Sequence, residues 1–127
     1  MKLLQHLFII SIFFIFLNCS NEKKNDPMSI EIGDKKVELK LQDENKFIKY
    51  DVMNDAQLIF TNIDVKSSVI LGRGISLKRI KDSIMYVEIN YPLKNSKSDT
   101  LDILINFDGA EEMDLRDRTI RLPVKRN

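Results

Sequence analysis

Beyond residue 27 the chain alternates apolar and polar residues with a period of two. Met28, Ile30 and Ile32 alternate with Ser29 and Glu31. Val37, Leu39 and Leu41 alternate with Lys36, Glu38 and Lys40. This is the period that puts every second side chain on one face of a β-strand. Ile48, Tyr50 and Val52 repeat the pattern, and Ile63, Val65, Val69 and Leu71 share one parity with a gap at Ser67. Ile75 and Leu77 follow Gly72-Arg73-Gly74. Three further runs are Met85, Val87, Ile89, Tyr91; Leu101, Ile103, Ile105, Phe107; and Ile120, Leu122, Val124. Pro123 interrupts the last run. Proline has no N–H to give a ladder, so it predicts an edge strand or a strand end.

Turn chemistry sharpens the first pair of strands. Gly33-Asp34 separates two alternating runs, and a Gly-X pair suits a type II′ hairpin. A two-residue turn there pairs Ile30 with Val37 and Glu31 with Lys36. A four-residue turn would set Glu31 against Glu38, and like charges directly opposite destabilise a sheet. The tighter turn is therefore predicted. Two segments carry helix signals instead. Asn54–Phe60 opens on a capping residue, and Ala110–Leu115 follows Asp108-Gly109. Both are too short to define an α/β fold. The expected class is all-β: a small antiparallel β-sandwich over residues 28–127, immunoglobulin-like or transthyretin-like, of about seven or eight strands.

The first 27 residues follow another pattern. After Lys2 comes an apolar run, Leu7–Leu17, and then Asn18-Cys19-Ser20. The run is about eleven residues, the length of a secretory h-region and short of the roughly 20 needed to span a bilayer. Phe and Ile occupy every side of it, so it has no polar face for a surface helix. Cys19 is the only cysteine of the chain. A single cysteine closing such a run resembles a bacterial lipoprotein signal with a relaxed lipobox, in which Asn18 stands where the family prefers a small residue. The resemblance is confined to this region. It implies cleavage after residue 18 and diacylglycerol on the Cys19 thiol. Residues 1–18 would be the signal peptide and 19–27 the lipidated cysteine and a polar tether. Ser20–Asp26 would reach at most about 25 Å when extended, so the domain would stay near the membrane. The expected location is the exported side of the cell envelope, with the outer membrane favoured if the cell is Gram-negative.

Composition narrows the chemistry. The one histidine, His6, falls in the signal. The mature body then has no histidine and no free thiol. That removes imidazole-dependent nucleophilic triads, Cys/His zinc sites and internal disulfides. Lys and Arg total 20 against 19 Asp and Glu, and the signal carries only Lys2, so the mature side chains balance. A nucleic-acid partner, which calls for a basic excess, is not expected.

Few candidate sites remain. The densest oxygen cluster is Asp108–Asp117, with Asp108, Glu111, Glu112 and Asp114 as possible calcium ligands, although the spacing does not match an EF-hand. Arg73, Lys78, Arg79 and Lys81 gather positive charge around a glycine-bearing turn. Asp99 with Asp102, and Asp82 with Glu88, are carboxylate pairs in sequence only. Ile84, Tyr86 and Leu104, with Phe47, are apolar on the outward parity and would make a partner surface if they were neighbours. The loop Pro92–Thr100 is long and polar. The expectation is a non-enzymatic, lipid-anchored envelope module without a cofactor, bound to the membrane by its anchor and to an unidentified envelope component by its surface. The alternative is a calcium- or ligand-binding domain using the Asp108–Asp117 loop.

Overall fold

The computed structural model describes residues 28–127, and the expected signal peptide, Cys19 and the tether lie outside the described residues. Nine strands form: β1 (Ser29–Ile32), β2 (Lys35–Leu41), β3 (Ile48–Lys49), β4 (Met53–Thr61), β5 (Val69–Leu71), β6 (Ile75–Lys81), β7 (Ile84–Asn90), β8 (Thr100–Asn106) and β9 (Thr119–Lys125). They make two sheets, a five-stranded one in the order β1-β2-β4-β7-β6 and a four-stranded one in the order β3-β9-β8-β5. The sandwich class is as expected, with nine strands rather than seven or eight. The pairings are antiparallel except for β3 and β9, which run parallel.

The alternating residues form the core between the sheets. Val37, Leu39 and Leu41 on β2, Met85, Val87 and Ile89 on β7, Leu101, Ile103 and Ile105 on β8, and Ile120, Leu122 and Val124 on β9 are all buried. The Gly33-Asp34 turn closes the predicted hairpin, with Ile30 opposite Val37 and Glu31 opposite Lys36. Gly33 has φ +59°, while Asp34 stays at negative φ, as a type II′ turn requires.

Three sequence expectations are corrected. Asn54–Phe60 is not helical. It belongs to β4, the central strand of the larger sheet, with Ala56, Leu58 and Phe60 buried. Its alternation is masked by Ile59, an apolar residue on the outer face opposite Ile84. Val65, Val69 and Leu71 do not share a face. A 3-10 turn at Val65–Ser67 shifts the phase, so Val65 is buried, Ile70 packs against the core, and Val69 and Leu71 point out. Ala110–Leu115 is a series of turns, followed by a 3-10 turn at Leu115–Arg118.

Pro123 lies inside β9, between β3 and β8. Val124 donates its N–H to the Asp99 carbonyl at 2.8 Å on the β8 side. One residue earlier, the ring nitrogen of Pro123 therefore faces the opposite edge, where β3 offers only two residues. The missing N–H removes no ladder bond there.

Edge strands are short or irregular. β1 has four residues, β3 two and β5 three. The longest edge, β6, has a register break between Leu77 and Arg79 and carries Lys78, Arg79 and Lys81. A bulge and charged side chains both discourage pairing with another chain.

Candidate binding surfaces

The two sheets turn different outer faces to solvent, and their chemistry differs. On the five-stranded sheet, Lys40 of β2, Asp55 and Gln57 of β4, Tyr86 of β7, and Lys78 and Arg79 of β6 line an open groove of about 630 Å³. The β6 bulge shapes its far wall. Leu77 pairs with Val87 and Arg79 with Tyr86, which leaves Lys78 as the extra residue. Its ammonium reaches Glu88 at 2.9 Å and Asp55 at 3.2 Å, bridging β6 to β7 and β4. Hydrogen bonds to Glu88 and then to Asp55 raise the Lys78 pKa above its ordinary value. Arg79 stacks its guanidinium over the Tyr86 ring, 4.2 Å from the centroid. The groove thus presents polar edges around an aromatic floor already covered on one side.

The outer face of the four-stranded sheet follows from its alternation. With Ile48, Ile103, Leu122 and Val124 directed inward, the outward set is Phe47 and Lys49, Arg121, Pro123 and Lys125, Asp102 and Leu104, and Val69 and Leu71. Val69 and Leu71 are 51% and 55% exposed, and Leu71 stands opposite the half-buried Leu104. Lys125 sits over the Phe47 ring at 4.0 Å. The one ion pair there among the described residues, Arg121 with Asp102, spans 3.9 Å between well-exposed side chains. Pairs of that kind hold little energy.

The sequence-predicted partner surface does not assemble. Ile84 and Tyr86 lie on the outer face of the five-stranded sheet, and Leu104 lies on the outer face of the other. The core separates them. Parity along each strand was legible, but membership of a sheet is a tertiary property. Leu71, which the sequence reading set on one parity with the buried Val65, is the outward neighbour directly opposite Leu104, and Val69 follows it along β5.

The acidic stretch is a folded turn. Its backbone is tied by Ala110 to the Phe107 carbonyl at 3.0 Å and by Met113 to the Ala110 carbonyl at 3.0 Å, with Ala110 buried. Lys35 donates to the Asp108 carbonyl at 2.9 Å, and the Glu111 carboxylate accepts from the Gly109 N–H at 3.0 Å. Asp114 starts the 3-10 turn without a side-chain cap bond. Among the described residues no three or more Asp, Glu, His or Cys side chains are gathered so as to hold a metal ion, and Asp108, Glu111, Glu112 and Asp114 are no exception.

Most of the remaining candidates have structural partners. The Asp99 carboxylate accepts from the Tyr50 hydroxyl, and Asp102 faces Arg121. Asp82 sits in the β6–β7 turn, more than about 13 Å along the strand from Glu88. Arg73 donates to the carbonyls of Asn95 and Lys94 at 3.2 and 3.1 Å, and its guanidinium lies 5.7 Å from the Tyr91 ring centre. The Pro92–Thr100 loop is therefore held near both ends.

No protein-family model, no curated protein and no solved structure matches this chain. Among the described residues no helix is long and apolar enough to cross a membrane.

Proposed function

We propose that this chain is a lipid-anchored, non-enzymatic binding module of a bacterial cell envelope. The observation that carries the reading is the lone Cys19 at the end of the Leu7–Leu17 apolar run, followed by a short charged tether and a compact β-domain. Export, acylation and tethering are what such a segment provides, and two or more acyl chains give a stable anchor. The mature body contributes no imidazole and no thiol. The groove of the five-stranded sheet, with its polar rim around Tyr86, is a contact surface for an envelope component.

Two variants test the two halves of the reading. Cys19→Ser is expected to move the protein from the membrane fraction to the aqueous phase. Retention of that variant in the membrane would contradict the anchor. Arg79→Glu reverses the charge at the groove without touching the core. It is expected to abolish co-purification of a specific envelope component that the unaltered protein retains. An identical set of co-purified components would remove the groove as the contact. Titration with calcium separates this reading from a metal-binding one: no change in Tm is expected, and a calcium-dependent rise would favour the Asp108–Asp117 loop.

A further inference from the structure

We propose that the outer face of the four-stranded sheet lies against a bilayer surface rich in anionic lipid, so that the domain is oriented as well as tethered. The proposal rests on the anchored reading above and adds which face meets the membrane.

Three features of that face point the same way. Its exposed apolar residues are contiguous: Val69 and Leu71 on β5, with Leu104 opposite Leu71 on β8. Beside them runs a basic set, Lys49 on β3 and Arg121 and Lys125 on β9, against the single carboxylate of Asp102. Among the described residues these cations have no strong ionic partner, the one ion pair on the face being the 3.9 Å Arg121–Asp102 contact. The Phe47 ring packs under the Lys125 ammonium at 4.0 Å, placing an aromatic edge and a cation side by side. Aliphatic groups dip into the acyl boundary while lysine and arginine meet phosphates. This is the division of labour of interfacial surfaces.

The opposite face has a different character. Two of its cations are held by carboxylates, Lys78 by Glu88 and Asp55 and Lys36 by Glu31 and Glu38, and Arg79 lies over the Tyr86 ring. Its apolar residues Ile59, Ile84 and Tyr86 are half-buried, and its exposed Met53 lies at the far end of β4. The two faces lie back to back across the core. A domain resting on the four-stranded sheet therefore turns its groove away from the lipid. A tether of about 25 Å at most keeps the basic face within reach of the bilayer throughout. Near an anionic surface each basic residue strengthens attachment by roughly fivefold.

The chain lacks tryptophan, so a single introduced indole reports one face at a time. Leu71→Trp probes the proposed membrane face, and Gln57→Trp probes the groove, which has room for the ring. Both are made in the full chain and reconstituted into vesicles with brominated acyl chains, of phosphatidylcholine either alone or mixed with phosphatidylglycerol. In mixed vesicles the Leu71→Trp indole should shift to the blue and be quenched at least roughly twofold more than the Gln57→Trp indole. Phosphatidylcholine alone, added salt, or the double reversal Arg121→Glu/Lys125→Glu should remove most of that difference. Equal quenching at the two positions in a chain that floats with the vesicles would overturn the proposal and leave the anchor intact. Such a face would then be covered by a protein partner or by none. Quenching indifferent to lipid charge would overturn the anionic recognition. A chain that stays in the aqueous fraction would remove both the anchor and the proposal.

Discussion

The Tyr50 hydroxyl donates to Oδ1 of Asp99 at 2.6 Å, with the Ser98 carbonyl 3.0 Å away. This bond joins the segment after β3 to the end of the long loop before β8, 49 residues further along the chain. The Tyr50 ring is buried and stacks on Tyr91 with the centroids 5.7 Å apart. Tyr91 in turn lies beneath Arg73, which holds the other end of the same loop. A polar loop of this length is thus fixed mainly by side chains, Tyr50, Arg73 and Asp51, the last accepting from the Leu93 N–H at 3.3 Å, rather than by a ladder of backbone bonds.

The hydrogen bond to Asp99, then burial, pushes the Tyr50 pKa from 10.0 up to about 12. The folded state therefore keeps a proton that the unfolded chain has lost. The stability this contributes is fully present below pH 10 and is lost as pH rises from about 10 through about 12. Lys78, also raised, acts in the same direction: its contribution is complete below its ordinary value of 10.5 and fades above it. Thermal melting against pH should show Tm falling across this alkaline window. Tyr50→Phe should lower Tm at neutral pH, shallow the alkaline decline and speed cleavage of the 92–99 segment by protease. An unchanged alkaline profile in that variant would contradict the assignment.

Gly74 and Gly33 both have positive φ, +78° and +59°, yet they should respond differently to alanine. A Cβ at Gly33 meets nothing within 4 Å. Gly33→Ala then costs only left-handed strain, about 1–2 kcal/mol. A Cβ at Gly74 falls on the Asn90 carbonyl, where the end of β7 approaches closely and Asn90 donates across to the Gly74 carbonyl at 2.8 Å. Gly74→Ala should cost at least about 3 kcal/mol, adding a backbone clash to the strain. Urea unfolding of the two variants checks the order, and equal midpoints would refute it.

Leu122 and Leu71 are both strand leucines with opposite fates. Leu122 is fully buried beside Leu101 of β8, while Leu71 is 55% exposed. Leu122→Ala should lower unfolding free energy by about 2–5 kcal/mol through lost burial and a cavity. Leu71→Ala should change it by no more than about 0.5 kcal/mol. A large loss at Leu71 would show that the outer face of the four-stranded sheet is part of the fold rather than a surface held in reserve.

Much of the sandwich was legible because local chemistry and tertiary demand agree. The β1–β2 register could be read from Gly33-Asp34 and the charges of Glu31, Lys36 and Glu38, and β7, β8 and β9 from runs of four or three alternating apolar residues that stay readable beside the outward Ile84, Tyr86 and Leu104. β4 was obscured where the outer face itself is apolar: Ile59 beside Leu58 and Phe60 erases the period, and Asn54-Asp55 imitates a helix cap. The phase of β5 depends on a 3-10 turn capped by the Asp64 carboxylate, which accepts from the Lys66 N–H at 3.1 Å, a contact too local to show in hydropathy. The groove was illegible for a different reason. It needs the β6 bulge, and it joins residues from four strands that only the sheet order makes neighbours.

The anchor is tested most directly by the intact mass of the protein extracted from membranes in detergent. The account predicts a polypeptide beginning at Cys19, lacking residues 1–18 and heavier than its amino acids by a diacylglyceryl group and any further acyl chain on the new N-terminus. A mass equal to the full 127-residue chain, with the Cys19 thiol unmodified, would contradict it.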